Sequence, residues 1–358
     1  MEMYAVQWDR SITHATVRLT QTMNLDSLVG ARLAVGLPGA DAAPDVIEAL
    51  RETHAQSLVV FDRNFQSPEQ FTRLLRRLED ALGRRLLVMV DHEGGRVVRF
   101  ATGVTRFPDA MTVGRTQDVA AVERQGATEA EELRRLGVRV NLAPCVDVVV
   151  DGSDPIIGDR AYGSDPAKVS ALAAARIRGL QSHGVAACAK HFPGLGAVPC
   201  DPHTVLPTIQ LGWSEMERVH LAPFSAAIAA GVEAVMSSHV CYPGLGEPPG
   251  IPATFSSRLI REVLRDRMRF HGLILTDDLE MGALRAFGTM GEAAVRATEA
   301  GHDVLLICSD LAAAKEALSG LKAAYQSGRL DRAELEASVQ RMKKVRENYL
   351  LGALEGTR

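Results

Sequence analysis

Eight short apolar runs, each followed by a stretch of helical character, constrain this chain more than any other feature. They occupy residues 32–37, 57–61, 86–90, 138–142, 185–189, 234–237, 273–276 and 304–308. Runs this short and this apolar suit strands buried on both faces. Amphipathic segments at 68–82, 119–136, 166–181, 213–230, 256–267 and 291–300 suit helices laid over them. In the first of these, Phe71, Leu74, Leu75 and Leu78 recur at three- and four-residue spacing, which places them on one helical face. Gly184, Gly231, Gly272 and Gly301 each stand between a helical pattern and the next apolar run, where a helix end takes glycine. Strands alternating with helices pair in parallel through right-handed crossovers. Eight such units predict an α/β fold closed as a single (β/α)8 TIM-type barrel. An open doubly wound sheet is the alternative, but no run leads into a Gly-x-Gly-x-x-Gly helix start.

A barrel of this kind accommodates most of the 358 residues as one domain. Residues 1–30 read as an N-terminal extension packed on it, 31–332 as the barrel, and 333–358 as a C-terminal helix against it. Leu335, Val339, Met342, Val345 and Leu350 mark the apolar face of that helix. With 46% hydrophobic and 23% charged residues and a net charge of −4, the chain gives no support for nucleic acid or an anionic membrane as partner. No apolar run nears the ~20 residues needed to cross a bilayer. The first ten residues lack a basic patch followed by an apolar core, so a cytoplasmic protein is expected. Cys145, Cys188, Cys200, Cys241 and Cys308 form no Cys-x-x-Cys pair and are odd in number, which favours buried free thiols.

Polar residues gather where the strands should end. After the third run stand Asp91-His92-Glu93-Gly94-Gly95-Arg96-Val97-Val98-Arg99; after the fourth, Asp147 and Ile157-Gly158-Asp159-Arg160; after the fifth, Lys190 and His191. His239 follows the sixth run, and Asp277 and Asp278 the seventh. The Pro- and Gly-rich segment 192–207 reads as a long ordered loop, and long loops in compact domains are commonly functional. In (β/α)8 barrels the carboxyl-end loops build the active site, so these groups should share one cavity. A cavity that combines carboxylates, guanidiniums and an ammonium suits a ligand dense in hydroxyl groups. The ten histidines include no His-x-His at a strand end and no His-Glu-x-x-His, so neither a metal nor a cofactor is expected.

These residues resemble a known family. The Asp91–Arg99 run with its Glu-Gly-Gly, Lys190-His191-Phe192-Pro193-Gly194, Asp201-Pro202-His203 and Thr276-Asp277-Asp278-Leu279 are similar to glycoside hydrolase family 3, most closely its single-domain β-N-acetylglucosaminidase (NagZ-like) branch. Further similarity runs through Asn141-Leu142-Ala143-Pro144, Pro223-Phe224, 236–239 and Pro252-Ala253-Thr254-Phe255-Ser256, in order over roughly residues 30–310. The resemblance implies a retaining exo-β-N-acetylglucosaminidase that acts on small amino-sugar conjugates, peptidoglycan-derived fragments among them. It implies Asp277 as nucleophile and His203, orientated by Asp201, as acid and base. Residues i and i+2 of an extended segment share a side, so that aspartate and imidazole can meet. The sugar pocket carries over to Asp91, Arg99, Arg160, Lys190 and His191. Asp278, next to the nucleophile, is well placed to cap a helix over 279–287. Glu93, Gly94 and Gly95 are expected to shape their loop, and His239 to hydrogen-bond behind the site. A monomer or weak homodimer is expected.

The loop departs from the family pattern, which reads Lys-His-Phe-Pro-Gly-His-Gly-Asp and then Asp-Ser-His. Leu195 replaces the second histidine, Ala197 the aspartate, and Pro202 the serine within the dyad. Pro202 biases Asp201 toward extended backbone and so keeps the dyad on one side. The losses at 195 and 197 leave two alternatives beside the hydrolase: a phosphorylase using the same covalent intermediate, and a sugar-binding barrel with weak or no turnover.

Overall fold

A computed structural model describes residues 24–351. Eight parallel strands close in sequence order: β1 (Leu33–Gly36), β2 (Ser57–Val60), β3 (Leu87–Val90), β4 (Val140–Asn141), β5 (Ala186–Phe192), β6 (Ala234–Ser237), β7 (Leu273–Asp278) and β8 (Val304–Ile307). The closing pair sets Leu33 beside Leu305 and Val35 beside Ile307. The fold is therefore the expected (β/α)8 barrel.

The two-residue period of the strands sorts their side chains into two cores. Ala34, Val59, Leu87, Met89, Ala186, Cys188, Leu273, Leu275, Val304 and Leu306 fill the barrel. Their alternates, among them Val35, Leu58, Val88, Val90, Ala187 and Ile274, meet the surrounding helices. Both faces are buried, which is why the strands read as unbroken apolar runs. The helices Pro68–Leu82 and Val119–Leu136 have the bounds their spacing indicates, and both end in a left-handed glycine. The first also starts on Pro68 behind the cap Ser67.

Several elements differ from the sequence reading. Residues 213–230 are not one uniform helix: a π-helical turn, Met216–His220, interrupts them. Arg258–Arg267 is π-helical as well. Two further helices lie outside the segments read from the spacing: the short Pro44–Glu52 and the alanine-rich Leu311–Gln326. Gly184, Gly231 and Gly301 take positive φ after their helices, whereas Gly272 does not. At Gly272 the constraint is space, because a Cβ would meet the Glu233 carbonyl at 2.4 Å. All five cysteines are free, and only Cys200 is not buried.

At the chain's end, the helix Arg332–Arg346 and the π-helical turn beyond it close the amino-terminal mouth of the barrel. Met342, Val345 and Tyr349 join the interior cluster. Arg346 donates to the carbonyls of Gln56 and Arg85, just ahead of β2 and β3. At the front of the described chain, Asn24 caps the short helix Leu25–Gly30, which buries Leu28 and Val29; residues 1–23 of the expected extension lie outside the described residues.

Candidate active site

Three interior rows of the barrel end in charge. Leu87 and Met89 lead to Asp91, Ala186 and Cys188 to Lys190, and Leu273 and Leu275 to Asp277. Each polar group thus continues a strand's inward-facing series at the carboxyl end. Lys190, His191, Asp277 and Asp278 lie within their strands, not beyond them, because β5 and β7 run three and two residues past their apolar runs. Register shifts occur there: on β5 between Lys190 and Phe192, on β7 between Leu275 and Asp278.

Lys190 is the hub of the cavity. Its side chain is 2% exposed, and its Nζ lies 2.5 Å from Asp91 Oδ1 and 2.7 Å from Glu93 Oε1. Arg160 grips Glu93 through two bonds of 2.8 Å. Burial works against all of these charges, yet their mutual attraction prevails. It holds Glu93 well below the usual carboxylate range, and the Lys190 and Arg160 cations above theirs. Glu93, expected to shape its loop, is therefore also the shared counter-ion of a lysine and an arginine. The loop is held from behind. Asn141 on β4 exchanges two hydrogen bonds with the His92 backbone, and Arg176 donates to the carbonyls of His92 and Glu93 while pairing with buried Glu129. Arg99 stands apart from this network, its guanidinium 5.5 Å from the Phe61 ring and its Nε without a partner.

Asp147, from the segment after β4, organises the next wall. Its Oδ2 receives the His191 amide at 3.2 Å and faces His191 Nδ1 at 2.8 Å; its Oδ1 takes the Leu195 amide at 2.6 Å. The other imidazole nitrogen of His191 looks toward Arg160 at 3.5 Å.

Asp277 is only partly covered. Burial raises its pKa, but His191, His239, the Asp278 amide at 2.8 Å and Lys190 outweigh it and bring it below the ordinary carboxylate value. Asp277 is thus a carboxylate at neutral pH. His239 is buried, with Nε2 at 2.9 Å from the Asp278 carbonyl and Nδ1 at 2.5 Å from the Thr254 hydroxyl. Burial lowers its pKa, so the ring is neutral, and Nε2–H donates to the Asp278 carbonyl. This is the hydrogen-bonding place expected for it.

Asp278 does not cap a helix. Residues 279–281 form a turn, and the 3-10 helix Gly282–Phe287 starts after Met281 with no side-chain cap. Asp278 instead accepts the Glu280 amide at 3.1 Å and the Cys308 amide from the end of β8 at 3.2 Å. A capping role was a reasonable inference from local chemistry, but the register shift on β7 turns this side chain toward the neighbouring strand.

The long loop carries the second half of the site. His203 Nδ1 lies 2.7 Å from Asp201 Oδ1, which also receives the His203 amide at 2.8 Å. Burial raises the Asp201 pKa, but these bonds and the His203 charge outweigh it and keep it below the ordinary carboxylate value. The His203 side chain is 57% exposed. The loop is fastened at both ends. Gly196 and Val198 carbonyls accept the Val150 and Asp154 amides, and the Pro202 and His203 carbonyls accept those of Ala283 and Gly282. Gly196 and Gly282 permit the contact, since a Cβ on either would stand 1.9 Å and 2.4 Å from the Val148 and His203 carbonyl oxygens. Leu195 and Val198 are buried beneath. Apolar anchoring thus takes the place of polar side chains at 195 and 197.

Comparison with known proteins agrees with this fold. Residues 25–345 match the glycosyl hydrolase family 3 N-terminal domain. A beta-hexosaminidase of Nitrosomonas eutropha is 36% identical over 299 residues, covering 81% of this chain and 85% of the relative. One from Methylococcus capsulatus is 38% identical over 289 residues, covering 80% and 85%. Among solved structures, a family 3 β-N-acetylglucosaminidase from Paenibacillus superposes with a TM-score of 0.89 at 36% identity over 92% of this chain, which spans only 64% of that larger protein. NagZ from Neisseria gonorrhoeae, solved with N-trifluoroacetyl-D-glucosamine, superposes with a TM-score of 0.77 at 31% identity, covering 91% of this chain and 94% of the other. The chain belongs to glycoside hydrolase family 3.

Proposed function

We propose that this protein is a retaining exo-β-N-acetylglucosaminidase, with Asp277 as nucleophile and the His203–Asp201 dyad as acid and base. The observation that carries the reading is the pairing of an ionised carboxylate on β7 with a loop imidazole whose Nδ1 is held by an aspartate. Asp277 attacks the anomeric carbon while the bond to the leaving oxygen breaks, and His203 Nε2–H gives that oxygen its proton. The product is a glycosyl ester on Asp277. His203, now neutral, takes a proton from water, which attacks the same carbon and frees the carboxylate; two inversions give net retention. Asp201 keeps the imidazole in the tautomer with Nε2 free and stabilises its cation.

Asp91 is suited to accepting hydroxyl hydrogens of the terminal sugar, and the guanidiniums of Arg160 and Arg99 to donating to its oxygens. Lys190 and His191 complete the pocket and favour the ionised nucleophile. N-acetylglucosamine as the released sugar is supported by the amino-sugar derivative bound in the Neisseria structure and by the hexosaminidase relatives. Small amino-sugar conjugates, including peptidoglycan-derived fragments, are the proposed substrates.

Hydrolysis of 4-nitrophenyl N-acetyl-β-glucosaminide tests the reading. Release of β-N-acetylglucosamine as the first-formed anomer is expected, with the rate lost in Asp277→Ala. A rate unchanged by that substitution, or accumulation of sugar 1-phosphate when phosphate is added, would contradict it.

A further inference from the structure

At the opposite end of the barrel from Asp277 lies a cleft of about 930 Å³ between the leads into β3 and β4 and the helix Pro68–Leu82. Six arginines line it: Arg76, Arg84, Arg85, Arg134, Arg135 and Arg139. Glu79 and Asp80 line it as well, and Glu131 pairs with Arg135 at 3.5 Å, which leaves three positive charges uncompensated in a chain whose net charge is −4. Glu79 is already committed to Arg85 at 2.8 Å and to the Leu86 amide.

Part of this concentration has a structural purpose. Arg134 and Arg135 occupy the last turn of Val119–Leu136, where cations favour the helix dipole. Arg84 donates to the Leu50 and Ala55 carbonyls, and Arg139 to those of Arg134 and Val138. These roles do not exhaust the donors. The buried Nε–H groups of Arg84 and Arg139 have no partner, and Arg76 pairs with no carboxylate among the described residues. Burial lowers the proton affinity of Arg84 and Arg139, and for Arg139 the guanidiniums of Arg134 and Arg85 lower it further. A wall that crowds more guanidiniums than carboxylates is stabilised by whatever anion enters it.

We propose that this cleft is a binding site for a small diphosphate-bearing molecule. Guanidinium forks match phosphate oxygens two at a time, and the cleft draws its arginines from three separate segments of the chain. Two linked phosphates bring about three negative charges near pH 7, close to the local excess. A monovalent or single divalent anion leaves part of that excess unmet. The site faces away from the sugar cavity, so its ligand is distinct from the substrate.

Isothermal titration of the full chain with inorganic pyrophosphate, in a phosphate-free buffer at modest ionic strength, tests the proposal. Saturable one-to-one binding is expected, at least ten-fold tighter than that of sulfate. The triple variant Arg76→Gln/Arg134→Gln/Arg135→Gln changes exposed residues only. It should bind pyrophosphate at least ten-fold more weakly while hydrolysing the aryl glycoside at the wild-type rate, which shows that it is folded. A charge-matched control, Arg178→Gln/Arg267→Gln/Arg332→Gln, should bind like the wild type. No saturable binding, equal affinity for sulfate, or equal weakening in the control would overturn the proposal.

Discussion

His203 and Asp201 lie across Pro202 with Nδ1 and Oδ1 2.7 Å apart, and the same carboxylate oxygen receives the His203 backbone amide. One oxygen therefore fixes both the ring and the turn that carries it. Replacing the carboxylate by an amide keeps the shape but removes the charge that would stabilise an imidazolium. Asp201→Asn is expected to lower kcat for the aryl glycoside by about 10²-fold, the scale of acid–base assistance, with KM little changed. Steady-state kinetics checks this; a kcat within two-fold of wild type would show that the dyad takes no part.

The second prediction concerns the hub of the cavity. Lys190 Nζ faces two carboxylates from a side chain that is 2% exposed. Lys190→Met removes one charge of a buried cluster and leaves Asp91 and part of Glu93 uncompensated. Breaking a buried pair from one side costs about 3–5 kcal/mol. Thermal unfolding of the variant should begin several degrees lower. An unchanged midpoint would show that Arg160 alone satisfies Glu93.

Asp278 leads to a pH-dependent prediction. Burial, together with the charges of Glu280 and Asp277, lifts its pKa from 3.8 to about 7 against the pull of two amide bonds. Between about pH 4 and 7 the folded chain keeps a proton there that the unfolded chain gives up. This contribution is thus fully present below about pH 4, declines as pH rises through 7, and is flat above. Asp278→Asn retains an acceptor for the Glu280 and Cys308 amides without the charge. The variant should melt a few degrees higher than wild type at pH 8, and the gap should shrink toward pH 4. A gap independent of pH would contradict the shifted acidity.

Much of this arrangement was legible in the residues alone. Strands buried on both faces announce themselves as short apolar runs, and Pro68–Leu82 and Val119–Leu136 carry their own caps. The alternation of β3, β5 and β7 brings Asp91, Lys190 and Asp277 to one end of the barrel interior. What stayed hidden depends on register and on contacts distant in sequence. The shift on β7 turns Asp278 to β8. Glu93 gains its partners from positions 160 and 190, and Asp147 its place from the amides of His191 and Leu195. The one available signal for Glu93 was a carboxylate followed by two glycines at a strand end where cations were also expected. Nothing local marked Leu195 as an anchor, because its burial depends on a segment nearly fifty residues earlier.

The most direct test of the central claim is to trap the intermediate. Incubation with an activated 5-fluoro-N-acetylglucosaminide slows both steps, and digestion followed by peptide mass spectrometry locates the sugar. The adduct is expected on the carboxylate of Asp277 and absent in Asp277→Ala. A sugar found on Asp278, Asp91 or Glu93, or turnover of the reagent with no labelled peptide, would contradict the account.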